Sequence, residues 1–119
     1  MGKDCVSIVG AGKAGSVISK KLSLSGYKFN SVISKKKSSA KILASLIHCP
    51  VYSDKLEDIP ADTKLIILAV PDSEIVNTAD NISKLNLKFN SLSVFHLSGS
   101  APVKTLESLR RKGTTIFSV

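Results

Sequence analysis

Three glycines near the amino terminus, Gly10, Gly12 and Gly15, have the spacing G-x-G-x-x-G. An apolar run, VSIV, precedes them and a segment of helical periodicity follows, which is the context that makes this motif informative. There the first glycine permits a sharp turn, the second leaves room for a pyrophosphate, and the third lets the helix pack closely on the strand. Free N–H groups at the start of the helix favour the same anion. The motif therefore predicts a dinucleotide site whose pyrophosphate is held by Gly10, Ala11, Gly12, Lys13, Ala14 and Gly15.

A basic run, Ser34-Lys35-Lys36-Lys37, follows the second predicted strand. At this place an Asp or Glu usually meets the ribose 2′-hydroxyl of NAD, whereas cations meet the 2′-phosphate of NADP. Residues 5–52 contain no acid at all. The run favours NADP, with its 2′-phosphate held by charge-assisted hydrogen bonds from Ser34, Lys35 and Lys36. The alternative is that these lysines only form a solvated turn.

Ala69, Val70 and Pro71 end the most apolar run of the chain. Ligands of open α/β sheets bind beyond the carboxyl ends of the strands, so these three residues are predicted to pass near the ribose on the nicotinamide side. Asp72 follows directly, and we interpret it as a residue at the start of a helix rather than as a catalytic acid.

His96 and Ser98 end the fifth predicted strand and are the candidates for a catalytic role. Either side chain could hydrogen-bond a substrate or the nicotinamide carboxamide, and a histidine could also transfer a proton near neutral pH. The alternative is a histidine satisfied by backbone at the end of a strand, followed by an ordinary turn. The sequence shows no carboxylate pair, no Ser/His/Asp set and no cluster of metal ligands, so we expect no metal.

Strand-like and helix-like segments alternate along the chain. Strands are predicted at 4–9, 28–34, 49–52, 65–70, 92–97 and 114–119, the third near an edge because Pro50 cannot donate to a sheet. Four helices are predicted. The first covers 13–24, the second begins after an N-cap at Ser38 or Ser39, the third begins with residues 72–74, and the fourth covers 102–112. This alternation predicts an α/β fold: a doubly wound, parallel Rossmann sheet of about six strands with helices on both faces, in three layers.

Each of the first three helices has an apolar stripe at helical spacing that predicts its packed face. The stripes are Ala14, Val17, Ile18 and Leu22 in the first helix, Ala40, Leu43, Ala44 and Ile47 in the second, and Ile75, Val76, Ala79 and Ile82 in the third.

The composition of the 119 residues, 43% hydrophobic and 22% charged, is that of one globular domain, and we assign residues 1–119 to a single dinucleotide-binding domain. No apolar run approaches the ~20 residues that a membrane span needs. The amino terminus has no secretory pattern, and Cys5 and Cys49 lack metal-ligand or C-x-x-C spacing. We therefore expect reduced thiols and a cytoplasmic protein without a membrane partner.

The formal net charge of +8 makes nucleic acid an alternative partner. Trp is absent, however, and Tyr and Phe together number six, so the base-stacking residues that accompany nucleic-acid binding are scarce. We expect a small-molecule substrate and no nucleic acid.

Three stretches together, VSIVGAGKAGS, LAVPD and FHLSGS, resemble the N-terminal NADP-binding domain of the 6-phosphogluconate-dehydrogenase-like superfamily. The similarity is greatest to Rossmann-like oxidoreductases related to pyrroline-5-carboxylate reductase and prephenate dehydrogenase. This resemblance implies hydride transfer between NADP and a small carbonyl, imine or hydroxy compound. It also implies that residues 10–15 hold the pyrophosphate, that Ser34, Lys35 and Lys36 hold the 2′-phosphate, and that Val70 and Pro71 lie on the nicotinamide side.

Members of this superfamily continue into a helical domain that completes the substrate pocket and often supplies dimer contacts. That C-terminal domain is absent from this chain, so we expect the cofactor-binding half of an NADP-dependent dehydrogenase or reductase, inactive alone and dimeric at full length. An alternative is a stand-alone NADP-binding or redox-sensing module without catalysis. A methyltransferase also has a glycine-rich turn after its first strand, but its cofactor has no 2′-phosphate for the lysines to bind.

Overall fold

Short strands alternate with helices along the whole chain in the computed structural model, which describes residues 4–98 and 101–118. The strands are β1 (Val6–Val9), β2 (Phe29–Ile33), β3 (Tyr52–Ser53), β4 (Leu65–Leu68), β5 (Ser93–His96) and β6 (Thr115–Ser118). The helices are α1 (Lys13–Leu24), α2 (Lys37–Leu46), α3 (Ile75–Ser83) and α4 (Glu107–Arg110). Short 3₁₀ turns lie at Leu56–Asp58, Asp72–Glu74, Phe89–Ser91 and Val103–Leu106.

All six strands form one parallel sheet in the order β3-β2-β1-β4-β5-β6. The strand order reverses between β1 and β4, whose registers pair Val6 with Leu65 and Val9 with Leu68. Two cores, one on each face, complete three layers. The predicted doubly wound α/β Rossmann sheet is confirmed.

The central strands are buried on both faces because successive side chains point to opposite sides of the sheet. In β4, Ile67 joins the core beneath α1 and α2, whereas Ile66 and Leu68 join the core beneath α3 and α4. All four residues of β4 are buried, as its continuous apolar sequence predicted. The carboxyl ends of β1 and β4 are therefore held firmly next to each other.

Two predicted elements are shorter in the structure than the sequence indicated. The third strand was predicted at 49–52 but is Tyr52–Ser53, since Pro50 has no N–H to donate, and the strand does lie at the sheet edge. The fourth helical segment was predicted as one helix over 102–112. It is a 3₁₀ turn, Val103–Leu106, followed by the single-turn α4, and it stops before Gly113, whose φ is +98°.

The predicted cap of α2 was wrong. The helix begins at Lys37, Lys36 is its N-cap residue, and no side chain among the described residues caps it. Ser39 and Ala40 donate their backbone N–H groups to the Lys36 carbonyl, so both candidate serines already lie inside the first turn. Only residues 34–36 separate the end of β2 from the start of α2, so the helix begins before either serine.

Two predicted packed faces need correction. In α1, Ala14 and Val17 are exposed, and the buried residues are Gly15 and Ser19, with Ile18 and Leu22 partly buried. A Cβ at Gly15 would meet the Gly10 carbonyl and Ala69, so the side of α1 that carries this glycine faces the loop after β1 and the residue after β4. In α3, Val76 is exposed, and Thr78 joins Ile75, Ala79 and Ile82 on the buried side. The face predicted for α2 is buried as expected.

Within residues 4–98 and 101–118, none of the helices has the length and apolar character that a membrane crossing requires.

Candidate functional site

A cavity of about 660 Å³ opens at the carboxyl edge of the sheet, where the order of the strands reverses. Its walls come from the loop after β1, the residues that follow β2 and β3, the segment after β4, and one side of α3. Of the six predicted pyrophosphate residues, Gly10, Ala11, Gly12, Lys13 and Ala14 line it, whereas Gly15 lies outside the lining as described. So do Ser34, Lys35, Ala69, Val70 and Pro71.

Gly10 makes the sharp turn out of β1. Its φ is +106°, a conformation that residues with a side chain rarely adopt. A Cβ built there would lie 2.3 Å from the carbonyl oxygen of Ala69. The Gly10 N–H donates to the Ile33 carbonyl at 2.7 Å, which ties the turn to β2. Neighbouring backbone thus demands glycine at this position.

Gly15 brings α1 against the loop and against the end of β4. A Cβ at Gly15 would lie 2.6 Å from the carbonyl oxygen of Gly10 and 2.9 Å from the Cβ of Ala69. Since protein interiors are close-packed, either contact would push the helix away from the sheet. This glycine therefore sets the position of the helix amino terminus at the cavity.

Gly12 is different, because the protein itself does not require it. Its φ of −77° and ψ of −170° are open to any residue, and no described atom lies within 4 Å of a Cβ built there. Gly12 is also the N-cap residue of α1, and the first turn, KAGS, carries no acid. The free N–H groups of this turn and the positive end of the helix favour an anion. These residues fit a pyrophosphate, with the space beside Gly12 open to it.

The basic run after β2 is divided by the fold. Ser34 and Lys35 line the cavity, whereas Lys36 and Lys37 are exposed at the start of α2 and lie outside its lining as the structure describes it. The Nζ of Lys35 forms an ion pair with Oε1 of Glu74. Of the three lysines, Lys35 is thus placed to meet a ligand in the cavity.

Polar residues that sequence reasoning missed also line the cavity: Asp54, Glu74, Asn77, Thr78 and Asn81. Asp54 directly follows β3, and the carboxyl ends of parallel strands share one edge, which is a signal that could have located it. The last three share one side of α3, because residues at helical spacings of three or four face the same way. Glu74 was interpreted only as a helix-opening residue.

His96 is fully buried and does not line the cavity as it is described. Its side chain shares a face of β5 with Val94, toward α3 and α4. The Ser98 N–H donates to Nδ1 of His96 at 3.2 Å, so the neutral ring carries its proton on Nε2. That Nε2 is buried and lacks a hydrogen-bond partner among the described residues. A catalytic role for His96 or Ser98 stays a prediction, and part of the predicted turn, Gly99-Ser100, lies outside the described residues.

Cys5 and Cys49 are both free thiols. Burial raises the pKa of the Cys49 thiol above its ordinary value, which keeps it protonated and unreactive near neutral pH. Among residues 4–98 and 101–118, no three His, Cys, Asp or Glu side chains lie together as a metal site.

This sheet order, with a glycine loop at the point of reversal, defines the class of dinucleotide-binding-type α/β domains. Residues 2–119 match the model of the Rossmann-like domain, and the chain belongs to that family. No curated protein matches the chain in sequence.

Solved structures resemble the chain closely in fold and weakly in sequence. A proposed NADP oxidoreductase from Bacteroides fragilis is 24% identical with a TM-score of 0.80, over 88% of this chain and 40% of the other. A pyrroline-5-carboxylate reductase from Coxiella burnetii is 13% identical with a TM-score of 0.81, and the match covers 98% of this chain and 43% of the reductase. A prephenate dehydrogenase from A. aeolicus was solved with hydroxyphenyl propionate and NAD+. It is 21% identical with a TM-score of 0.77, and the match covers 99% of this chain and 41% of the dehydrogenase.

The chain thus spans about two fifths of the length of these structures. The predicted resemblance to the N-terminal domains of such oxidoreductases is confirmed at the level of the fold.

Proposed function

We propose that this chain is the NADP(H)-binding domain of an oxidoreductase. The observation that carries the proposal is the open space beside Gly12. Gly10 and Gly15 are explained by their own neighbours, but a Cβ at Gly12 would meet no described atom beyond its chain neighbours. Ser, Asn or Asp would serve equally well at this N-cap position, so space for a ligand is what favours glycine over them. The surrounding cavity of about 660 Å³ is within the ~300–1,000 Å³ typical of small-molecule and cofactor sites.

The protein's part in the reaction is to hold and orient the cofactor. When bound, the nicotinamide would supply the hydride chemistry, which belongs to the cofactor rather than to the chain. The segment 10–15 would hold the pyrophosphate, with Gly10 making the turn and the free backbone N–H groups at the start of α1 donating. The end of β4 would support the nicotinamide side through Val70 and Pro71.

The preference for NADP over NAD is proposed from the residues after β2. Ser34 and Lys35 line the cavity there, and no acid stands at the end of that strand to take a 2′-hydroxyl. Among the similar structures, one is described as an NADP oxidoreductase and the prephenate dehydrogenase was solved with NAD+, so the preference is argued from the residues of this chain. Asp54 and Glu74 in the same cavity oppose a 2′-phosphate and make the preference smaller than the lysine run alone would predict.

The substrate class is proposed from the resemblance in fold. The similar structures are named as pyrroline-5-carboxylate reductase, prephenate dehydrogenase and imine reductase, which supports hydride transfer to or from a small carbonyl, imine or hydroxy compound. Since the chain spans about two fifths of their length, we propose that residues outside it complete the substrate pocket.

Calorimetric titration with NADPH and NADH tests the cofactor assignment. We expect NADPH to bind about tenfold more tightly, since one charge-assisted hydrogen bond is worth ~1.5–3 kcal/mol and Lys35 must leave Glu74 to make it. Equal affinities would refute the 2′-phosphate assignment, and no binding of either nucleotide would refute the function.

The double variant Lys35→Glu/Lys36→Glu should narrow or reverse the preference while the domain stays folded. Added carboxylates at the start of α2 face the positive end of that helix, so they do not destabilise it. Lys20→Glu/Lys41→Glu, on exposed positions of α1 and α2, makes the same change in net charge away from the cavity. If both double variants shift the ratio of the two affinities equally, the lysines after β2 act only through the overall charge.

A further inference from the structure

An ion pair joins Lys35 to Glu74, and both residues line the cavity. Lys35 follows β2, and Glu74 ends the 3₁₀ turn that follows β4. These strands are not neighbours, because β1 lies between them in the sheet. The pair therefore joins segments that follow strands on either side of β1.

The cation that the cofactor assignment needs is thus already engaged by an acid of the same cavity. Lys36 and Lys37 lie outside the lining as described, so Lys35 is the lysine of this run that the cavity contains. Lys35 is 84% exposed and Glu74 31% exposed, so solvent screens the pair and the lysine can leave it at modest cost. Glu74 is the less exposed partner, so its carboxylate has less freedom to move than the lysine.

We propose that Glu74 is a specificity-determining residue, which sets how strongly the site favours a 2′-phosphorylated nucleotide. The inference rests on the proposed function. Glu74 acts in two ways: it competes with the phosphate for Lys35, and its negative charge opposes the phosphate from within the same cavity. A nucleotide with a free 2′-hydroxyl does not compete for Lys35, and the charge of Glu74 opposes only the pyrophosphate, which both nucleotides share. The acid thus lowers the affinity for NADPH more than the affinity for NADH.

The test is calorimetric titration of NADPH and NADH into the wild type and into Glu74→Gln, which keeps the size of the side chain and removes its charge. We expect the Kd for NADPH to fall about 3- to 10-fold and the Kd for NADH to change by less than about twofold, the range set by one screened charge pair. Asp4→Asn, an exposed acid before the amino end of β1 and far from the cavity edge, makes the same change in net charge and should alter neither value.

A second pair of variants separates the competition between Glu74 and the 2′-phosphate for Lys35 from the direct effect of the Glu74 charge on the nucleotide. In a Lys35→Met background, the gain from Glu74→Gln should shrink to about twofold or less, because there is no lysine left to release. An equal gain with and without Lys35 would overturn the competition, as would an unchanged NADPH-to-NADH ratio in Glu74→Gln itself. In both results the nucleotides still bind, whereas a wild type that binds neither would overturn the proposed function and this inference with it.

Discussion

The three glycines of the loop after β1 meet three different surroundings. Gly10 faces the carbonyl of Ala69 and Gly15 faces the carbonyl of Gly10, while Gly12 faces open space. We therefore expect substitution of the first or third glycine to impair folding, and substitution of the second to impair binding of the proposed cofactor. Substitution at single residues can separate the two requirements.

Gly12→Ala should weaken NADPH binding about tenfold or more, because its methyl group enters the space that the pyrophosphate needs. Its cost to stability should stay near ~1 kcal/mol, the difference between Gly and Ala at an N-cap. Gly15→Ala should instead destabilise the domain by about 1–3 kcal/mol through overpacking against Gly10 and Ala69. Calorimetry and urea denaturation measure the two effects. Undiminished NADPH binding by folded Gly12→Ala would contradict the placement of the pyrophosphate.

At the scale of single elements, α1 and β1 each bury a serine, with opposite consequences. Ser19 of α1 is fully buried, and its hydroxyl has no hydrogen-bond partner among the described residues. Ser7 of β1 is equally buried, but its Oγ lies 2.5 Å from the Oγ of Ser31 in β2. The unpaired hydroxyl of Ser19 lowers the free energy of unfolding, whereas the hydroxyl of Ser7 links two strands of the sheet.

Ser19→Ala should stabilise the domain by about 0.5–1.5 kcal/mol, because it removes an unpaired buried hydroxyl and Ala has the higher helix propensity. Ser7→Ala, the same chemical change, should destabilise it by about 1–3 kcal/mol, since Ser31 then loses its partner inside the sheet. Urea denaturation midpoints at constant slope give both values. Loss of stability in Ser19→Ala would show that its hydroxyl is bonded after all.

At the scale of the whole molecule, a net charge of +8 attracts any polyphosphate, so nucleotide binding must be distinguished from charge alone. A ligand at about 100 times its Kd stabilises a domain by ~2.7 kcal/mol, which for a chain of this size raises the Tm by roughly 10 °C. We expect NADPH to produce such a rise, measured by calorimetric melting. Tripolyphosphate at the same concentration, which has charge but no nucleoside, should raise it far less. Equal rises would indicate binding through charge alone.

The agreement between sequence and structure follows from how local each signal is. The apolar run of β4 predicted a central strand, and the glycine spacing after β1 predicted a tight loop. Both predictions succeeded because each structure is specified by a few consecutive residues. The buried face of α1 was misjudged because Gly15, with no apolar side chain, decides which side meets the sheet. The cap of α2 was misjudged because the turn out of β2 sets where that helix starts.

The amino-acid sequence by itself determined the order of strands and helices, the parallel doubly wound sheet, and the glycine loop at its carboxyl edge. These follow from the two-residue and 3.6-residue periodicities and from backbone sterics, which act along the chain. Only the tertiary structure decided that Glu74 meets Lys35, that Asp54 shares their cavity, and that His96 is buried outside its lining. Those relations depend on which side chains converge across the sheet, and residues distant in the chain carry no local signal of their meeting.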